Sequence, residues 1–152
     1  SHRMPSFKTT RQVPYSATQM YDLVADVARY PEFLPLCEAL TIRQRTETAD
    51  GKPQLVAYMT CGYKAIRETF TTRVTLDEER RAIHVEYIDG PFRYLNNDWR
   101  FEPAANGGCR VHFHIDYALK SAMLGLLVAL LGIWLALGLP IGPGAPLSYA
   151  AG

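Results

Sequence analysis

The sequence predicts an α+β domain, an antiparallel sheet of about seven strands packed against a long C-terminal helix. Three observations predict it. Short stretches rich in β-branched and aromatic residues follow one another from Leu40 to Leu119, separated by tight turns such as Asp50-Gly51, Asp89-Gly90-Pro91 and Asn106-Gly107-Gly108, the pattern of an antiparallel meander. Such a sheet has one apolar face to bury, and the helix predicted near the N-terminus is too short to cover it. The chain then turns uncharged and apolar over residues 121–139 (SAMLGLLVALLGIWLALGL), a run that would reach about 30 Å as one helix.

The elements follow in order. Residues 7–13 (FKTTRQV) read as a first strand ending at Pro14. Ser16 with Gln19 three residues on is a capping box, and Met20, Leu23, Val24 and Val27 give one apolar stripe at helical spacing. Pro31 predicts a helix end near Tyr30, and Pro31-Glu32-Phe33-Leu34-Pro35 leaves room for one further helical turn. Strands are predicted at 40–48, 54–61 and 65–76, the last two joined through Gly62. A charged turn at 78–81 leads to 82–88, where Ile83, Val85 and Tyr87 share one face and His84 and Glu86 the other. Strand 92–102 places Trp99 and Phe101 on one face, and strand 109–119 does the same for Val111, Phe113, Ile115 and Tyr117.

Composition narrows the class. With 152 residues, 48% hydrophobic, 20% charged and a formal charge of +1, the chain is one folding unit, placed at 4–139, with a Pro/Gly-rich unstructured tail at 140–152. The near-zero charge argues against DNA as a partner. Cys37, Cys61 and Cys109 are odd in number and form no CxxC, which suits reduced thiols in a cytosol-like compartment. Ser1-His2-Arg3 ahead of Met4 is short and polar, unlike a signal peptide.

The blocks VPYSATQMYDLVADVARYPEFLPLCEAL (13–40), ETFTTRVTLD (68–77) and DGPFRYLNNDWRFEP (89–103) resemble the START-like (helix-grip, polyketide cyclase/dehydrase) superfamily. Within it they are most similar to the coenzyme Q-binding branch, which includes the bacterial ribosome-association toxins. The resemblance runs from about Phe7 to about Lys120. It implies a strongly curved sheet gripping the C-terminal helix with an apolar cavity between them. It also implies ubiquinone or a similar prenyl lipid as bound ligand, no cofactor beyond it, transient membrane contact, and a cytoplasmic role in respiration as a binding or delivery protein. A ribosomal subunit is the alternative partner, with Arg43, Arg45, Arg80, Arg81 and Arg100 as phosphate contacts.

No nucleophile elbow, P-loop or dinucleotide fingerprint is present, so no catalytic residue is assigned and the chain is not expected to be an enzyme. His112, His114 and Asp116 alternate onto one strand face and are the best metal candidates. They lie opposite Val111, Phe113 and Ile115, so a solvated face is the better reading and no metal is expected. Cys37 is placed at the cavity mouth or in the core, and Arg67 with Glu68 at the cavity edge or on the surface. The cavity wall is assigned to Phe33, Leu36, Phe70, Tyr87, Trp99, Phe101, Phe113 and Tyr117, with Leu127 and Leu131 from the helix. Tyr58, Tyr63 and Asn97 are the polar candidates for quinone carbonyls, which only accept hydrogen bonds.

The run 121–139 needs cover. Exposing half a dozen of its large side chains would forgo about 9–18 kcal/mol, as much as a domain's whole net stability of about 5–15. It reads as a lid over the sheet, as a membrane anchor whose Gly125, Ala129, Gly132 and Ala136 seam pairs two copies, or as a tail foreign to the family. The unburied sheet face favours the lid.

Overall fold

The computed structural model describes residues 6–120. Its first strand, β1 (Ser6–Val13), leads through Pro14 to helix α1 (Ala17–Ala25). The Ser16 hydroxyl accepts from the Gln19 backbone N–H at 3.1 Å, and the Gln19 side-chain oxygen accepts from the Ser16 N–H at 2.9 Å. Two donors are thereby satisfied reciprocally at the helix start. Met20, Leu23 and Val24 are buried on one side of the helix, as their spacing requires.

The helix is shorter than its periodicity predicts. It stops at Ala25, because Asp26 leaves helical geometry (φ −81°, ψ 65°), and Val27 begins a separate 3₁₀ turn, Val27–Arg29. Val27 is still buried, so the apolar stripe continues across a break that spacing alone does not show. Pro31 likewise opens an element: it sits in the first turn of α2 (Tyr30–Phe33), where a missing N–H is tolerated.

Six strands complete the sheet: β2 (Cys37–Glu47), β3 (Pro53–Tyr63), β4 (Ile66–Asp77), β5 (Ala82–Asp89), β6 (Phe92–Pro103) and β7 (Cys109–Leu119). The spatial order is β1-β7-β6-β5-β4-β3-β2, with every neighbouring pair antiparallel. Register breaks at Cys37/Ala39, Ile42/Gln44, Thr71/Thr72 and Phe92/Tyr94 act as bulges, which bend strands and raise their twist.

Gly62 is not the turn between β3 and β4. It lies inside β3, and the chain reverses at Lys64-Ala65 with Tyr63 opposite Ile66. Gly62 answers to a different constraint: a Cβ there would fall 2.4 Å from Glu38 Oε1, and the Glu38 carboxylate is held in place by two hydrogen bonds from the Arg67 guanidinium.

The inner face carries two clusters. In one, α1 packs across β6 and β7, with the Tyr21 ring edge-on to Phe101 at 6.3 Å. Val13, Leu55, Ala57, Val74, Ile83 and Val111 are buried in the same cluster. In the other, Phe92, Leu95, Phe113 and Ile115 are buried, with Phe70, Tyr87 and Tyr117 against them. The expected lid at 121–139 and tail at 140–152 lie outside the described residues, as do Leu127 and Leu131.

Candidate ligand cavity

Between the two clusters the inner face holds a cavity of about 170 Å³. That is about six water-sized volumes at roughly 30 Å³ each, enough for one ring or a short length of prenyl chain. Strand alternation points Ala57, Met59 and Cys61 of β3, Phe70, Thr72 and Val74 of β4, and Leu95, Asn97 and Trp99 of β6 into this space. The 3₁₀ turn, α2 and the segment after them close one side with Val27, Tyr30, Phe33, Leu34, Pro35 and Leu36.

Two short motifs hold that side in place. The Tyr30 hydroxyl donates to the Val24 carbonyl, and burial pushes its pKa well above the usual tyrosine range, so it stays a neutral donor. The Leu34 N–H donates to Tyr30 C=O at 2.8 Å, and Cys37 N–H to Leu34 C=O at 3.2 Å. Leu36 takes a positive φ of 69°, the uncommon conformation that turns the chain sharply into β2.

The floor is aromatic. Trp99 meets Phe113 edge-on at 4.7 Å and stacks on Phe101 at 6.1 Å. Its indole Nε1–H donates to Asn97 Oδ1 at 2.8 Å, and Asn97 Nδ2 donates to the His114 carbonyl at 2.9 Å. Asn97 is buried, and its amide has one N–H more than these bonds use. The other polar side chains on the wall are Thr72 and Glu68. Cys61 is a neutral thiol there, pushed up to about 12 chiefly by burial.

Of the wall residues expected from sequence, Phe33, Leu36, Phe70, Trp99 and Phe113 line the cavity. Phe101 does not, because α1 covers it and Tyr21 packs on its ring. Tyr87 and Tyr117 pack against the second cluster instead, and the Tyr87 hydroxyl accepts from the Phe92 N–H at 3.2 Å. Of the polar candidates Asn97 is on the wall, whereas Tyr58 lies under the Arg43 guanidinium at 3.9 Å and Tyr63 beside the Lys64 ammonium. Arg67 pairs with Glu38 across two strands rather than with Glu68, which leaves Glu68 facing the cavity. Tyr30, Met59, Cys61, Thr72 and Leu95 were not expected. The β3 and β4 members follow from the alternation that placed Phe70; Tyr30 follows only once the helix break at Asp26 is known.

The three histidines among the described residues, His84, His112 and His114, lie on the other face of the sheet. His112 Nε2 donates to Glu102 at 3.1 Å and His84 Nδ1 to Asp98 at 2.6 Å, while His114 Nε2 hydrogen-bonds the Ser6 hydroxyl at 3.0 Å and lies 3.2 Å from the Asp116 carboxylate. Among the described residues no three metal-ligating side chains converge. The arginines weighed as phosphate contacts are dispersed: Arg80 is paired with Asp77, Arg100 with Glu102, and Arg81 donates to Thr18. None of the described helices is long and apolar enough to cross a membrane.

Comparison with known proteins agrees with the fold. Residues 13–139 match the family model "Polyketide cyclase / dehydrase and lipid transport", and the chain belongs to that family. It is 38% identical over 123 residues to the ribosome association toxin RatA of Escherichia coli strain K12, covering 81% of this chain and 74% of that one. To the mitochondrial coenzyme Q-binding protein coq10 of Schizosaccharomyces pombe it is 26% identical over 131 residues, covering 86% and 79%. A START superfamily protein from Mycobacterium smegmatis superposes with a TM-score of 0.67 at 20% identity, covering 84% and 86%, so the fold is START-like.

Proposed function

We propose that this chain is a non-catalytic binding and delivery protein for an apolar ligand, with an isoprenoid quinone such as ubiquinone as the first candidate. The observation that supports this most is the wall itself. It is a concave surface of Phe33, Phe70, Phe92, Leu95, Trp99, Phe113 and Ile115 with few polar groups, Thr72 and Asn97 the buried ones among them. Apolar enclosure with sparse polar groups is what a binding cavity needs. A quinone ring fits about 170 Å³, its carbonyl taking the remaining Asn97 N–H while the prenyl tail lies along the α2 side. Each buried CH₂ adds about 0.8 kcal/mol, so the tail supplies affinity and the head orientation.

Catalysis needs a positioned acid, base or nucleophile. The three histidines of the described residues sit on the outer face, and the cavity thiol is held protonated. Glu68 is the single carboxylate on the described wall, with no histidine or second carboxylate lining the cavity with it. The relative named for coenzyme Q binding supports the choice of quinone, and a cytoplasmic protein touching the respiratory membrane transiently is the setting that fits. Titrating a short-chain ubiquinone should quench tryptophan fluorescence saturably and raise the melting temperature. No quench and no thermal shift with either quinone or its quinol would overturn the proposal.

A second reading rests on the 38%-identical relative named as a ribosome association toxin: binding to a ribosomal subunit that interferes with subunit association. Arg43 and Arg45, exposed on the edge strand β2, are the contacts best placed for it. Co-sedimentation with isolated subunits that weakens with rising salt supports this reading, and absence of co-sedimentation even at low salt dismisses it.

A further inference from the structure

We infer that Cys37 and Cys61 form a redox-active dithiol at the cavity rim, closed to a disulfide by hydroperoxides. The two residues are direct partners in the β2–β3 register. The ladder bond beside them runs from Gly62 N–H to Leu36 C=O at 2.9 Å, one residue beyond each cysteine, so the pair occupies the non-hydrogen-bonded position. In a regular ladder such partners have Cα atoms about 4.5 Å apart and side chains on one face, within the roughly 4.4–6.8 Å that a disulfide spans. Here the pair opens the ladder, directly before the bulge between Cys37 and Ala39. Closing the bond gives up a thiol hydrogen bond from Cys37 to Ala39 C=O at 3.8 Å, a weak one.

The two thiols have different access. Cys61 is half-buried on the cavity wall, whereas Cys37 is buried behind it at 7% exposure. Cys61 is therefore the attacking group and Cys37 the resolving one. The Cys61 thiolate attacks the hydroperoxide; an S–O bond forms, the O–O bond breaks, and the alkoxide leaves and takes a proton as alcohol. Cys37 sulfur then displaces hydroxide from the sulfenic acid, forming the S–S bond and, with the thiol proton, water. Two thiols and one hydroperoxide give one disulfide, one alcohol and one water.

Burial pushes Cys61 up to about 12 and Cys37 to about 11, so little thiolate is present at neutral pH and the reaction is slow. Reduction is slow for the same reason, since a thiol of high pKa is a poor leaving group. The disulfide is thus a lasting mark rather than a rapid sensor. It ties the end of the segment carrying Phe33, Leu34, Pro35 and Leu36 to β3, fixing one wall of the cavity against the other. The inference needs only an apolar cavity and is independent of which ligand fills it.

The test oxidises the reduced, full-length protein with cumene hydroperoxide. The expected products are a monomer lighter by two hydrogens, a Cys37–Cys61 linked peptide, and Cys109, which is fully buried, still free to alkylate after unfolding. In Cys37→Ser, Cys61 should instead accumulate as a sulfenic acid trapped by dimedone. The oxidised wild type should release N-phenyl-1-naphthylamine several-fold more slowly than the reduced protein. Three free thiols after treatment, disulfide-linked dimers, sulfinic acid on Cys61 without the linked peptide, or an unchanged release rate would each overturn the inference.

Discussion

The two ends of the sheet's inner face are built from the same alternation and end up differently. Under α1, Phe101, Ile83 and Cys109 are 2%, 2% and 0% exposed, and Tyr21 packs edge-on against Phe101. Toward α2, Trp99, Phe113 and Phe70, placed by the same period of two, surround a cavity. The difference lies in what faces them. A helix of nine residues completes one end, whereas among the described residues the 3₁₀ turn, the single turn of α2 and the segment after it border the other. Alternation says which side a residue faces; the opposing element decides whether that side becomes core or cavity.

Truncating one aromatic at each end separates the two roles. Phe101→Ala should cost about 3–5 kcal/mol, which lowers the melting temperature by about 10 °C or more, while the affinity measured on the folded fraction stays near wild type. Phe33→Ala should do the reverse: about 1 kcal/mol of stability but a loss of apolar-ligand affinity of about tenfold, since a ring's worth of contact area is removed. Thermal melts and probe titrations on both variants check this; equal effects on binding would erase the distinction. Ser16→Ala, which removes the hydroxyl from the α1 cap, should cost about 1 kcal/mol and leave the cavity's affinity unchanged.

The smallest effect lies outside both regions. The Arg67 hydrogen bonds hold the Glu38 carboxyl below its ordinary value of 4.5. Because the folded pKa is the lower one, this stabilisation is present above the unfolded value and fades as pH falls through the folded value. Arg67→Ala should therefore lower stability slightly and evenly above about pH 6, with the loss vanishing toward the acid end of the stability-versus-pH curve, whose acid limb is flattened. An equal loss at all pH values would mean that Arg67 acts through packing.

The strands, the antiparallel meander from β2 to β7 and the capping box were legible because each rests on local signals: turn residues, period-two alternation and a side chain reaching three residues along. The pairing of β1 with β7 joins the two ends of the fold and has no such signal. The break at Asp26 was hidden because a 3₁₀ turn keeps Val27 on the buried side. Gly62 resembled a turn residue, yet its constraint comes from Glu38 on the neighbouring strand. Arg67 likewise finds its partner across two strands, a pairing that depends on register and on the bulge at Glu38. Phe101, Tyr87 and Tyr117 were assigned to the wall by facing the right way. Their removal from it depends on Tyr21 in one case and on the Phe92 cluster in the others, contacts that no local pattern encodes.

Binding of an apolar ligand at the α2 end of the inner face, as proposed above, can be read without any mutation. The most direct measurement is native mass spectrometry, with lipid extraction, of protein purified without detergent. The expected result is a bound species of prenyl-lipid mass at one per chain, released on unfolding and identified as a quinone in the extract. A chain mass with no bound lipid, unchanged after incubation with ubiquinone, would contradict it.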